Sequence, residues 1–218
     1  MVVVTLPCIN RSTEDYELGD PGKFEIASLH TMPRIAYAAV HVVADPVENN
    51  NPSIDAAIDW EATINYRRYV WSLGLGVAEA MDTAQRGMGV NWENSLELVK
   101  RSVDAAREFQ IENGGALLAC GAGTDHLEPS PNISVDDVIN AYEEQCHAIE
   151  SAGGRIILMA SRALAMAASS PDDYLKVYER ILSQVKEPVI IHWLGEMFDP
   201  ALKGYWGSDD HWTGMETC

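Results

Sequence analysis

The sequence predicts an α/β protein of the (β/α) TIM-barrel type, a partial barrel with about five β/α units of an expected eight. Three observations predict it. Five short apolar runs begin near residues 34, 76, 116, 155 and 188. Their starts lie 42, 40, 39 and 33 residues apart, a nearly constant period. Between them, apolar residues recur every three or four positions, as on a helix with one buried face. Such alternation is what a parallel sheet covered by helices requires. No Gly-x-Gly-x-x-Gly follows the first run, which argues against a dinucleotide fold. A five-stranded open sheet is the competing reading.

Residues 1–33 read as an N-terminal arm, with a short strand at 2–6 and an extended segment through Thr13, Glu14, Asp15, Gly19, Pro21 and Pro33. Residues 34–200 hold the five units. The strand runs are 35–44, 76–81, 116–120, 155–160 and 188–194. One helix is marked by Trp92, Leu96, Val99, Val103 and Ala106, and the next by Val135, Val138, Tyr142, Cys146 and Ile149. Ser134 caps that second helix, with Asp136 and Asp137 well placed in its first turn. Ser170 followed by Pro171 opens another, whose buried face is Tyr174, Tyr178, Ile181 and Val185. Gly74, Gly114 and Gly153 stand where helices should end. Residues 201–218 read as an irregular tail with exposed aromatics. Eight units of about 38 residues would need roughly 300, so the sequence reads as the N-terminal portion of a larger barrel or a truncated copy.

The 218 residues carry 15 Lys+Arg against 33 Asp+Glu, a net charge of −18. That balance repels nucleic-acid backbones and anionic membrane surfaces. No apolar run approaches the roughly 20 residues of a membrane span. The first residues lack the basic start and small-residue cleavage site of a secretory signal. Cys8, Cys120, Cys146 and Cys218 form no Cys-x-x-Cys pair. These features predict a cytoplasmic protein in a reducing compartment, acting on a small-molecule substrate. An incomplete barrel would expose strand edges, so a homo-oligomer is expected.

In a barrel the chemistry gathers at the carboxyl ends of the strands. The first run delivers His41 and Asp45 there. The second carries Glu79, a carboxylate inside an apolar strand that must be paired, protonated or bound, and then Arg86. The third leads into Thr124, Asp125 and His126, the fourth into Arg162, and the fifth contains His192 and leads to Glu196. Glu79, His192, His126 and Asp125 are the acid/base candidates. His41, Asp45, Arg86, Thr124, Arg162 and Glu196 are the substrate-binding candidates, with Arg86 or Arg162 holding an anionic group. No cofactor is expected. The alternative is a divalent metal held by His41, Glu79, His126 and His192, with Asp45 as a further ligand type. Trp60, Trp71, Trp92 and Tyr174 match helix core faces, while Glu143, Glu144, Asp172 and Asp173 read as solvated.

The stretches 35–45, 59–63, 71–89, 120–126 and 192–200 resemble a poorly characterised bacterial family described as dihydrodipicolinate synthase-like, related to the N-acetylneuraminate lyase aldolases. The resemblance implies a (β/α)8 barrel, a carbon–carbon lyase activity and a Schiff base between a sixth-strand lysine and a 2-oxo acid. Lys23, Lys100, Lys176, Lys186 and Lys203 all lie outside the expected strands, so no Schiff-base residue carries over. The superfamily's fifth-strand tyrosine is replaced by His192, and its Gly-Thr-Thr-Gly-Glu turn by residues 81–86. The function expected is therefore an aldolase or lyase acting on a small 2-oxo-acid or sugar-derived substrate. The alternatives are a metal-dependent sugar isomerase, epimerase or hydrolase, and an inactive partial barrel that self-associates.

Overall fold

The computed structural model describes residues 2–20, 22, 34–51, 54–128 and 130–218. Residues 23–33, most of the rest of the expected arm, lie outside the described residues. The arm's first strand is present as β1 (Val3–Pro7). Its partner β2 (Thr13–Glu17), not expected from the sequence, pairs with β1 antiparallel. Every residue of β2 is exposed, so it shows no apolar alternation by which to recognise a strand.

Five strands follow: β3 (Tyr37–Ala39), β4 (Gly76–Glu79), β5 (Leu118–Ala122), β6 (Arg155–Met159) and β7 (Ile190–His192). They form one parallel sheet in sequential order, curled as a half-barrel and compatible with a partial α/β barrel. Each observed strand is shorter than, or slightly shifted from, the apolar run that predicts it. The apolar residues beyond the paired segments serve the loops and the helix contacts.

The connecting helices are α1 (Trp60–Ser72), α2 (Trp92–Asn113), α3 (Val135–Ala152), α4 (Arg162–Ala167) and α5 (Pro171–Leu182). Ser134 caps α3 in a reciprocal capping box with Asp137, and Ser170 does the same for α5 with Asp173. Gly153 takes φ +91° at the end of α3, a conformation that favours glycine. The short α4 was not expected, because six residues are too few to show a helical period.

Alternation along each strand decides what faces what. Cys120 and Ala122 of β5, with Ile156 and Leu158 of β6, pack against the helices in the main core. Ala119, Ile157 and Met159 face the opposite, concave side with Ala78 and Met81. Gly121 also lies on that side. A Cβ there would sit 2.9 Å from the Ala80 carbonyl oxygen and 3.0 Å from Met159 Sδ.

The segment after residue 200 corrects the expectation of an irregular tail, and of its aromatics Trp212 is exposed while Tyr205 and Trp206 are buried. It forms short turns and a terminal helix, α6 (His211–Thr217). Tyr205 and Trp206 are 2% and 1% exposed and pack on Tyr174 and Tyr178. The Tyr205 hydroxyl accepts from Ser161 N at 3.0 Å and lies 3.1 Å from the Tyr178 hydroxyl. Aromatic burial with satisfied hydroxyls stabilises this segment although its sequence is rich in glycine. Among the described residues, no helix is long and apolar enough to cross a membrane.

Candidate functional site

Glu79 is on the same parity of β4 as Val77, so it points into the sheet–helix interface, not into the mouth of the sheet. It is fully buried and opposed by Arg67 of α1, also fully buried. Arg67 donates from Nε and Nη2 to the two carboxylate oxygens, both at 2.9 Å. Its remaining hydrogens go to the carbonyls of His41, Thr63 and Val40. All five guanidinium N–H groups are thereby used. Glu79 also accepts from Ser102 Oγ and Ala80 N. Its four acceptor positions are filled, leaving none for a substrate proton. Its environment makes it a structural counter-ion that ties α1 and α2 to the sheet, and this corrects its expected acid/base role.

Arg86 is spent in the same way. Nε and Nη2 reach the two oxygens of Asp125, at 3.2 and 2.5 Å. Nη1 donates to the carbonyls of Ala80 and Gly121, and Nη2 also donates to Gln145 Oε1. With five donors used, Arg86 has none for an anionic substrate, so that expectation is corrected too. It instead clamps the end of β4 to the turn after β5. Burial pushes the Asp125 carboxyl up, but the Arg86 charge and hydrogen bonds from Gln145 and Arg86 outweigh it and hold the group below its ordinary range.

Gln145, fully buried on α3, completes this cluster. Its Oε1 accepts from Gly123 N as well as Arg86, so its Nε2 is the donor to Asp125 and to His126 Nδ1. In neutral His126 the hydrogen therefore sits on Nε2, which faces Glu144 at 3.4 Å. His126 stacks near Trp92 and does not line the cavity described next.

A cavity of about 380 Å³ opens at the carboxyl ends of β5 and β6. Its polar lining is Asp82, Thr124, Asp125, Ser161, Arg162 and Asp199. Leu127, Ile133, Met159, Met166, Leu194 and Leu202 form its apolar wall. Thr124 and Ser161 are buried, and their hydroxyls are 2.6 Å apart. Arg162 pairs with Asp199 through Nε. Among the described residues, the Asp82 side chain has no hydrogen-bond or ion-pair partner, and it is exposed to the opening.

Of the expected site residues, Thr124, Asp125 and Arg162 meet in this cavity. His41 is exposed, and Asp45 accepts from Val47 N in the loop after β3. His192 is half-buried at the end of β7, with Nδ1 buried and unpaired among the described residues. Glu196 is exposed. None of these four lines the cavity. The metal set His41, Glu79, His126 and His192 is not brought together. Among the described residues no group of three or more His, Cys, Asp or Glu is placed to hold a metal. Asp82, Ser161 and Asp199 were missed as site residues. Asp82 and Ser161 stand two or three residues beyond strand ends, a signal the sequence did contain.

A model for a family described as a protein of unknown function (DUF993) matches residues 4–218. The chain belongs to that family. No curated protein matches the sequence. The resemblance to dihydrodipicolinate synthase-like proteins is thereby corrected: the stretches that carried it belong to the DUF993 pattern, and the Schiff-base chemistry it implied goes with it.

Proposed function

We propose that this DUF993 chain is a TIM-barrel-type enzyme performing acid–base chemistry on a small oxygenated molecule, with aldol-type carbon–carbon cleavage as the reaction. The observation that carries the reading is the convergence of Asp82, Thr124, Asp125 and Ser161 on one cavity at the carboxyl ends of parallel strands. In barrels that face carries the catalytic groups, and an apolar pocket with a few convergent polar groups is the usual form of a small-molecule site.

Asp82 is the catalytic base in this reading, because Asp125 is already committed to Arg86 and Gln145. Asp82 takes the proton of a β-hydroxyl group. The freed electron pair forms the new carbonyl, the carbon–carbon bond breaks, and its electrons pass to the other fragment as an enolate. The Thr124–Ser161 hydroxyl pair donates a hydrogen bond to the enolate oxygen, and a proton from Asp82 completes the second product.

The test is a panel of β-hydroxy carbonyl compounds with hydrazine trapping of released aldehyde. Release by the natural protein, lost by about a hundredfold or more in Asp82→Asn, is the expected result. Aldehyde release unaffected by Asp82→Asn, or absent across the panel, overturns the reading.

Self-association is a second reading with its own observation. The β1–β2 hairpin exposes Val3, Leu6 and Tyr16, and an isolated two-stranded hairpin is marginal in water. Met197, Phe198, Trp212 and Met215 add a second exposed apolar group. Sedimentation equilibrium showing a dimer or larger assembly supports it, and a monomer at all concentrations refutes it.

A further inference from the structure

The hydrogen-bond inventory of the cavity narrows the substrate. The hydroxyls of Thr124 and Ser161 lie 2.6 Å apart, and Ser161 Oγ also accepts from Leu164 N at 2.9 Å. Two hydroxyls carry two hydrogens, and the bond between them uses one. If Thr124 donates, the Ser161 hydrogen is left over. If Ser161 donates, the Thr124 hydrogen is left over. Either way one donor at a buried, cavity-lining position has no acceptor among the described residues. A donor left unsatisfied there is costly, so the cavity is built to receive an oxygen acceptor.

The charges point the same way. Arg86 has no free donor, and its charge is matched by Asp125. Arg162 is matched by Asp199 and is 61% exposed, so it offers an anion little in water. Asp82 is left over: the lining carries the three carboxylates of Asp82, Asp125 and Asp199 against the single guanidinium of Arg162, with Arg86 outside the lining and matched by Asp125, in a chain of net charge −18. A carboxylate or phosphate would enter against that charge. The remaining wall is hydrocarbon.

We propose that the substrate class is an uncharged β-hydroxy carbonyl compound with a short branched hydrocarbon flank. Its carbonyl oxygen takes the surplus hydrogen of the Thr124–Ser161 pair. Its hydroxyl donates to Asp82, and its flank lies along Leu127, Ile133 and Leu194. This rests on the reading of the cavity as the substrate site.

The test uses a matched pair of probes, 3-hydroxy-4-methylpentanamide and its carboxylate analogue 3-hydroxy-4-methylpentanoate, with saturation-transfer NMR on the natural chain, on the single variants Thr124→Val and Ser161→Ala and on the double variant. The amide should bind at least about tenfold more tightly than the carboxylate. Each single variant keeps one hydroxyl hydrogen for the ligand and should bind the amide nearly as well, whereas the double variant, which removes both, should weaken it by about tenfold. Ser161 also caps α4, so the single Ser161→Ala variant is the control for the lost cap and the double variant is the deciding one. Equal or tighter binding of the carboxylate, weakened by the double variant, overturns the substrate class but leaves the cavity reading standing. Binding of either probe that ignores the double variant overturns the class and places the ligand elsewhere. Absence of binding by both probes overturns the class, while the cavity reading is still decided by the aldehyde-release assay.

Discussion

Replacing Glu79 by glutamine keeps the side-chain shape and removes the charge. The native carboxylate accepts from Arg67 Nε, Arg67 Nη2, Ser102 Oγ and Ala80 N. A glutamine turns one of the two oxygens into a donor, so two of those four donors meet an NH2 group instead of an acceptor. Arg67, with no exposed surface, is left as a buried cation without its counter-charge. Breaking a buried pair from one side costs about 3–5 kcal/mol, a large part of the roughly 5–15 kcal/mol that holds a domain together. With a urea dependence of about 2 kcal/mol per molar, the unfolding midpoint should fall by about 2 M. The control is Glu97→Gln, which removes the half-exposed partner of Arg101 on α2. That pair is worth about 0.3–0.5 kcal/mol, so its midpoint should move by no more than about 0.25 M. Far-UV circular dichroism against urea checks both. If Glu79→Gln unfolds at the natural midpoint and instead abolishes turnover, the structural assignment of Glu79 is refuted.

Three further outcomes follow from the packing. Tyr205→Phe removes the acceptor of Ser161 N and the partner of the Tyr178 hydroxyl, and should cost about 1–3 kcal/mol by urea unfolding. Burial, reinforced by the Glu79 charge, pushes the Cys120 thiol up; burial, with the neighbouring Tyr205 and Tyr178, does the same for the Tyr142 hydroxyl, and Cys146 is pushed up to about 12. The unfolded chain loses these protons first, near pH 8.5 for cysteine and 10 for tyrosine. Stability should therefore be intact below about pH 8 and fall as pH rises beyond it, measured as a declining melting temperature. A thiol reagent should label Cys218 and Cys8 in the native state and reach Cys120 and Cys146 only on unfolding.

The periodic part of the fold was legible because strands covered on both faces must be apolar throughout, and their helices must repeat every three or four residues. The Ser134 and Ser170 caps were legible because capping is a local interaction. What failed was tertiary. The sequence showed that Glu79 needed a partner. It did not show that the partner was Arg67, because Arg67 and Arg68 are adjacent on α1 and look alike. Yet Arg67 is buried, while Arg68 pairs with Glu108 at the surface. Nor did it show that Arg86 would spend every donor within the chain, since its partners include the carbonyls of Ala80 and Gly121 and the side chain of Gln145, the last two from distant elements. Thr124, Asp125 and Arg162 were found because strand ends can be located, whereas Trp206 adopts a φ of +67° that no local pattern announces.

The proposed site takes its ligand at the carboxyl ends of β5 and β6. Methyl NMR of the chain labelled at methionine tests it most directly, because Met159 and Met166 line the cavity while Met88, Met197 and Met215 lie outside it. Titration with a set of small oxygenated fragments should shift the Met159 and Met166 methyls and leave Met88 and Met197 in place. Shifts confined to Met197 and Met215, or no shift at Met159 and Met166 with any fragment, would show that ligands do not enter there.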